Sequence, residues 1–132
     1  EQATPFEHRS FGDELARCMR YYEKGYDYDD APGASATYPG NIPLTVRGQD
    51  EETNGQRYFT HNLKVEKRAD PTNTFYDESG NSGKVTTYDS GGTPTHNVSI
   101  GLVVTMRSRI GCGPSNSSIW GHGFFYESDA EL

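Results

Sequence analysis

Ile100-Gly101-Leu102-Val103-Val104-Thr105-Met106 is the longest apolar run of the chain, and its reading decides the fold. Its length suits one buried β-strand and falls far short of the roughly 18 residues that a membrane-spanning helix needs. The run lies within His96–Ser108, and comparable stretches rich in β-branched and aromatic residues recur at Ile42–Arg47, Arg57–Arg68, Thr72–Tyr76, Lys84–Tyr88 and Ser118–Glu127. Turn-forming clusters separate them: Ala31-Pro32-Gly33, Asp50 to Gly55, Ser79 to Gly83, Ser90 to Pro94 and Gly113-Pro114-Ser115-Asn116. Short strands punctuated this often predict a mainly β protein, an antiparallel β-sandwich of jelly-roll-like form. Within Phe59–Glu66, residues Phe59, Leu63 and Val65 share one face, with His61 the polar exception in phase.

One helix precedes the strands. Ser10 has the character of an N-cap, with Asp13 three residues on. Leu15, Cys18, Met19 and Tyr22 then follow at the spacing of one helical face. Acidic Asp13 and Glu14 open the segment while Arg17 and Arg20 close it, an order that suits the helix dipole. The pattern predicts a helix from Phe11 to about Tyr22 that docks through its apolar stripe, with Gly25 as the latest stop. Residues 1–10 read as an extended lead-in, and 11–132 as a single β-sandwich domain opened by this helix. No initiator Met stands at Glu1 and no signal-type segment follows it, so the start is expected to be a processed end or a point within a longer chain.

Composition narrows the classes. Leu, Ile, Val and Phe account for 21 of the 132 residues, below the roughly 20% at which highly charged chains tend to disorder. Nine Tyr, six Phe and one Trp supply large rings that offset this. A folded domain with a thin core is expected, one that gains stability by associating. With 19 acidic against 12 basic residues and a net charge of −7, the chain lacks the clustered basic patch that nucleic acid requires. Two cysteines are too few for a disulfide scaffold. Cys18 falls in the helix and Cys112 in an expected Gly111-Cys112-Gly113 loop, and the pair reads as two reduced thiols.

No motif marks an enzyme. His8, His61, His96 and His122 show no zinc spacing, and neither a G-x-S-x-G elbow nor a P-loop occurs. No cofactor or metal is therefore expected. Asp77 to Gly83 places oxygen ligands at alternate positions, as a calcium loop does, yet it lacks that loop's sixth-position Gly and closing Glu; an Asx turn between two strands accounts for it equally well. Tyr26, Tyr28 and Asp29 form a ring-and-carboxylate cluster, either a solvated acidic turn or a platform on which sugar rings stack. Trp120 and His122, set among Gly121 and Gly123, allow the same two readings, core or ligand contact.

A resemblance adds to this. Ala3-Thr4-Pro5-Phe6-Glu7-His8-Arg9-Ser10, with Glu14-Leu15-Ala16-Arg17-Cys18-Met19-Arg20-Tyr21-Tyr22, resembles a segment recurring in tail-fibre and other virion fibre proteins of tailed bacteriophages. There the first part closes a preceding carbohydrate-binding-like sandwich and the second opens the terminal domain. Val65 to Thr72 is similar to the family's V-x-M-R-A-x-P-T strand, with Lys67 in place of Met and Asp70 adding a charge, and Ser128 to Leu132 resembles its DAEL ending. The resemblance implies a component of the virion surface assembled in the host cytoplasm, a homotrimer joined to other virion proteins. It carries over no catalytic residue. Three functions follow as expectations: a non-enzymatic receptor-binding tip that adheres to host surface glycan or protein, a structural head-fibre, decoration or trimerisation domain, or a polysaccharide depolymerase. The first is favoured, with Tyr26, Tyr28, Asp29, Trp120 and His122 as its ligand contacts and no nucleic acid or membrane insertion.

Overall fold

A computed structural model describes residues 10–27, 29–35, 59–89, 91–115 and 121–131. Ser10 caps the helix as its position predicts: its hydroxyl accepts the Asp13 N–H at 3.2 Å and donates to the Asp13 carboxylate at 2.7 Å. The helix α1 spans Phe11–Met19 and stops about one turn before the sequence expectation. The cause lies in the carbonyls of its exit. Arg20 C=O accepts the Arg68 N–H at 3.0 Å and Tyr21 C=O accepts the Ala130 N–H at 2.7 Å, so the chain leaves the helical ladder for strand neighbours. Tyr22 accordingly opens strand β1 (Tyr22–Lys24) instead of closing the helix.

Seven more strands follow among the described residues: β2 (Phe59–Asn62), β3 (Thr72–Tyr76), β4 (Lys84–Tyr88), β5 (Pro94–Thr105), β6 (Arg109–Pro114), β7 (Gly121–Gly123) and β8 (Phe125–Asp129). They build two antiparallel sheets, a three-stranded one in the order β1-β8-β3 and a five-stranded one in the order β2-β6-β5-β4-β7. Phe75 and Tyr126 from the first sheet meet Val85, Ile110 and Cys112 from the second in one buried core, joined by Leu63 and Phe124. Phe124 marks the point where the chain passes from β7 in one sheet to β8 in the other, and its ring meets Phe75 edge-on at 5.3 Å. The mainly β sandwich with one short N-terminal helix thus agrees with the sequence reading.

Several boundaries differ. β3 and β4 fall where the sequence places them, whereas Ser118–Glu127 resolves into β7 and β8 within its described part, and Ile42–Arg47 lies outside the described residues. Cys112 sits in β6, buried, and not in a loop; Cys18 is exposed on α1, and the two are not joined. The expected strand Arg57–Arg68 ends at Asn62 because its later N–H groups turn elsewhere. Leu63 donates to Ser108 C=O at 2.9 Å, Lys64 to the Glu23 carboxylate at 3.1 Å and Lys67 to Arg107 C=O at 2.7 Å. β5 carries two register shifts, and at the first of them Asn97 takes a φ of 60°, the left-handed region that asparagine tolerates better than most residues.

Lys67 itself is fully buried. Its ammonium donates to Glu23 at 3.0 Å and to the Met19 carbonyl at the end of α1, where a cation meets the negative pole of the helix dipole. The second Glu23 oxygen accepts the Tyr126 hydroxyl at 2.8 Å as well as the Lys64 N–H, so three donors converge on the carboxylate. Burial first, and then the Glu23 charge, push the Tyr126 phenol well above its usual range and keep it a donor. By contrast the Arg107–Glu66 pair is exposed and 3.7 Å apart.

Removing one partner of a buried pair strands the other, which typically costs about 3–5 kcal/mol, while an exposed pair contributes about 0–1 kcal/mol. Lys67→Ala or Glu23→Ala is therefore expected to lower the denaturant midpoint severely, and Glu66→Ala to leave it nearly unchanged. Equal midpoints for Lys67→Ala and Glu66→Ala in guanidinium titrations would contradict the assignment.

Candidate functional site

The alternation of strand side chains assigns Tyr22, Lys24, Thr72, Thr74, Tyr76, Glu127 and Asp129 to one face of the three-stranded sheet, and Glu23, Phe75 and Tyr126 to the other. The second set is buried, so the first faces away from the core. Its register forms rows across the sheet: Tyr22, Asp129 and Thr72 in one, Lys24, Glu127 and Thr74 in the next. Glu127 lies on the central strand and gathers the two flanking phenols. Tyr76 donates to it at 2.9 Å and Tyr22 at 3.3 Å. Burial first, and then Glu127, raise both phenols, Tyr76 to about 12, so both remain protonated donors at neutral pH. The Tyr22 side of the cluster is open, with 38% of the residue exposed.

The turn that follows β1 closes one end of this face. Tyr26 stacks on Phe125 with ring centroids 4.3 Å apart and planes 12° from parallel, and meets Tyr76 edge-on at 6.1 Å. Its hydroxyl accepts the Gly33 N–H at 3.1 Å. At 7% exposure the Tyr26 ring has no face left for a sugar, so its predicted role as a stacking platform is corrected to that of a packing residue. The expectation failed because Phe125 and Tyr76, distant in sequence, supply the apolar neighbourhood that the turn alone lacks. Asp29 is exposed on the same turn, which Lys24 ties to β1 by donating to the Asp30 carbonyl.

His122 is corrected likewise. It stands on β7 in the five-stranded sheet, fully buried, with Nε2 at 3.2 Å from the Cys112 carbonyl and its ring against Phe124. Burial lowers its pKa from 6.5 to about 4. It is part of the core, and the three-stranded face lies on the other sheet. Tyr28 and Trp120 lie outside the described residues. The structure thus brings Tyr26 and Asp29 to one end of the tyrosine–carboxylate face and leaves His122 elsewhere.

Asp77 resolves the two readings of its turn. The residue is buried, and its carboxylate accepts the N–H groups of Ser79 at 2.9 Å, Asn81 at 2.8 Å and Asn97 at 2.6 Å, together with the Asn81 amide at 2.8 Å. Burial opposes its ionisation, but these bonds outweigh it and hold the pKa below the usual carboxylate value. An Asx turn is formed, with the carboxylate oxygens already committed to N–H donors. Among the described residues no group of three or more His, Cys, Asp or Glu is placed to hold a metal ion.

The members of the face that the sequence reading missed are Tyr76 and Glu127, with Tyr22 assigned to a helix. Their signal was the period of two in Thr72-Asn73-Thr74-Phe75-Tyr76 and Phe125-Tyr126-Glu127-Ser128-Asp129, where hydroxyls and carboxylates recur at alternate positions. No family model, curated protein or solved structure matches the chain.

His122 gives the fold a pH dependence of definite sign. A histidine at about 4 when folded and 6.5 when unfolded contributes stability that is complete above pH 6.5 and lost as the pH falls through 4. The ceiling of that contribution is about 3 kcal/mol. Burial lowers His61 too, which acts in the same direction. Urea midpoints are expected to fall between pH 6.5 and 4, and to fall less steeply in His122→Gln; identical slopes for the two proteins would exclude His122 as the source.

Proposed function

We propose that this is a non-enzymatic adhesion domain that binds host surface carbohydrate, the receptor-binding tip of a bacteriophage virion fibre. The observation that carries the reading is the outward face on which Tyr22 and Tyr76 converge on Glu127, with Asp129, Thr72 and Thr74 beside them. Sugar rings present apolar C–H faces and a rim of hydroxyls; partly exposed phenol rings suit the former, and carboxylates and threonine hydroxyls the latter. Asp29 borders the face on the adjoining turn. A single site of this kind binds weakly, so the function calls for several linked copies, and avidity then exceeds one-site affinity by roughly 10²–10⁴. The homotrimer implied by the fibre resemblance meets that need.

A structural virion domain, for a head fibre or capsid decoration, is the second reading, favoured by an α1 whose residues are all at least partly exposed. The two separate on a glycan array probed with the intact protein. Binding is expected, and Glu127→Gln and Tyr76→Phe are each expected to weaken it by about tenfold, the equivalent of one lost hydrogen bond to a charged group, with thermal melts close to that of the starting protein. An array without signal, or variants that bind as the parent does, would transfer the assignment to the structural reading. Release of reducing sugar from host polysaccharide would make the domain a depolymerase.

A further inference from the structure

Helix α1 presents an apolar stripe that no other described residue buries. None of its residues is buried, and Phe11 is 82% exposed, more than any other large hydrophobic residue among those described. At the opposite end of the same helix lies an open cavity of about 180 Å³ between Leu15, Cys18, Met19, Tyr22, Tyr26 and Lys64. An apolar-walled cavity of about 150 Å³ holds one benzene ring, so this one is the size of a phenylalanine side chain. Phe11 cannot serve its own cavity. Helical side chains slant toward the N-terminus, which points Phe11 away from Leu15 and Met19.

We propose that Phe11 of one copy seats in the α1–β1 cavity of a second copy of this chain. The proposal rests on the reading that copies associate and is independent of the ligand they bind. Charge complementarity selects this partner. Asp13 and Glu14 follow Phe11, whereas Lys24 and Lys64 border the cavity together with Glu23, whose charge is matched by buried Lys67, so seating the ring brings opposite charges together. Joining two helix starts would instead bring four carboxylates together on a chain whose net charge is already −7. Ring and cavity are different surfaces, so the contact closes either as a ring in which each copy feeds the next or as a twofold pair in which two copies exchange rings. Tyr22 and Tyr26 take part on both sides of the molecule's economy: each lines the cavity and also belongs to, or closes, the tyrosine–carboxylate face. Association through the cavity therefore sets the spacing between binding faces.

Light scattering of the full chain at micromolar concentration tests this. The starting protein is expected to run at about three chains. Phe11→Ala removes the knob and Cys18→Arg, at an exposed wall, blocks the hole; each is expected to raise the dissociation constant roughly 30-fold or more, as truncating a central interface aromatic does. Neither changes a buried residue, so the protomers should keep their far-ultraviolet circular dichroism. Val103→Ser, at the other sheet's exposed apolar position, is expected to change nothing. Association retained in Phe11→Ala, or lost in Val103→Ser, overturns this contact while leaving the multivalent reading in place. A starting protein that stays monomeric overturns both. A dimer dissolved by Phe11→Ala upholds the contact and discards the trimer.

Discussion

The Glu23–Lys67 pair is the constraint on which the rest of the architecture depends. Two charges withdrawn from water are tolerated only when their remaining hydrogen-bonding capacity is met, and here the donors and acceptors come from separate parts of the chain. Met19 supplies the helix terminus, Lys64 the irregular segment after β2, and Tyr126 the central strand of the smaller sheet. The pair thus fixes how the helix leaves, where β1 begins and how the 63–68 segment crosses the end of the sandwich. The seven-residue core cluster among the described residues has few other means of setting these positions. It also dictates the outer face: with Glu23 turned inward on β1, Tyr22 and Lys24 must turn outward.

Much of the fold was legible because it depends on local pattern. β3 and β4 combine β-branched residues with flanking turns, and Ser10 with Asp13 specifies a helix start through atoms only three residues apart. The errors share a different cause. The end of α1, the end of β2 and the strand around Cys112 are all decided by partners far along the chain: Arg68 and Ala130 for the helix exit, Ser108 and Arg107 for the segment after β2, and the pairing of β6 with both β2 and β5. Glycines on either side of Cys112 argue locally for a loop, and long-range pairing overrides them.

The candidate site was less legible for the same reason. Tyr26 in its acidic turn and His122 between glycines each carry a local composition suggestive of exposure, yet both are covered by residues distant in sequence, Phe125 and Tyr76 in one case, Phe124 and the Cys112 strand in the other. The Tyr22–Glu127–Tyr76 convergence joins three strands that only the β1-β8-β3 order brings side by side. Alternation in β3 and β8 announces two-faced strands, but it does not reveal that β1 and β8, more than 100 residues apart, are neighbours.

Gly33 and Gly80 meet at the rim of the smaller sheet. Both have positive φ, and a Cβ on Gly80 would lie 2.2 Å from the Gly33 carbonyl oxygen, so two turns separated by more than 40 residues touch backbone to backbone. Such a contact ties the evolutionary fates of the two loops together. Neither can acquire side-chain bulk at the point of contact on its own, and a change in the length of one displaces the other. The 89–93 turn is built differently. Its Asp89 carboxylate accepts the N–H groups of Gly91 and Thr93, and although Gly92 also has a positive φ, a Cβ there would meet nothing within 4 Å. What restrains Gly92 is its own backbone conformation and not a second loop, so a change at that position has no distant partner among the described residues to displace.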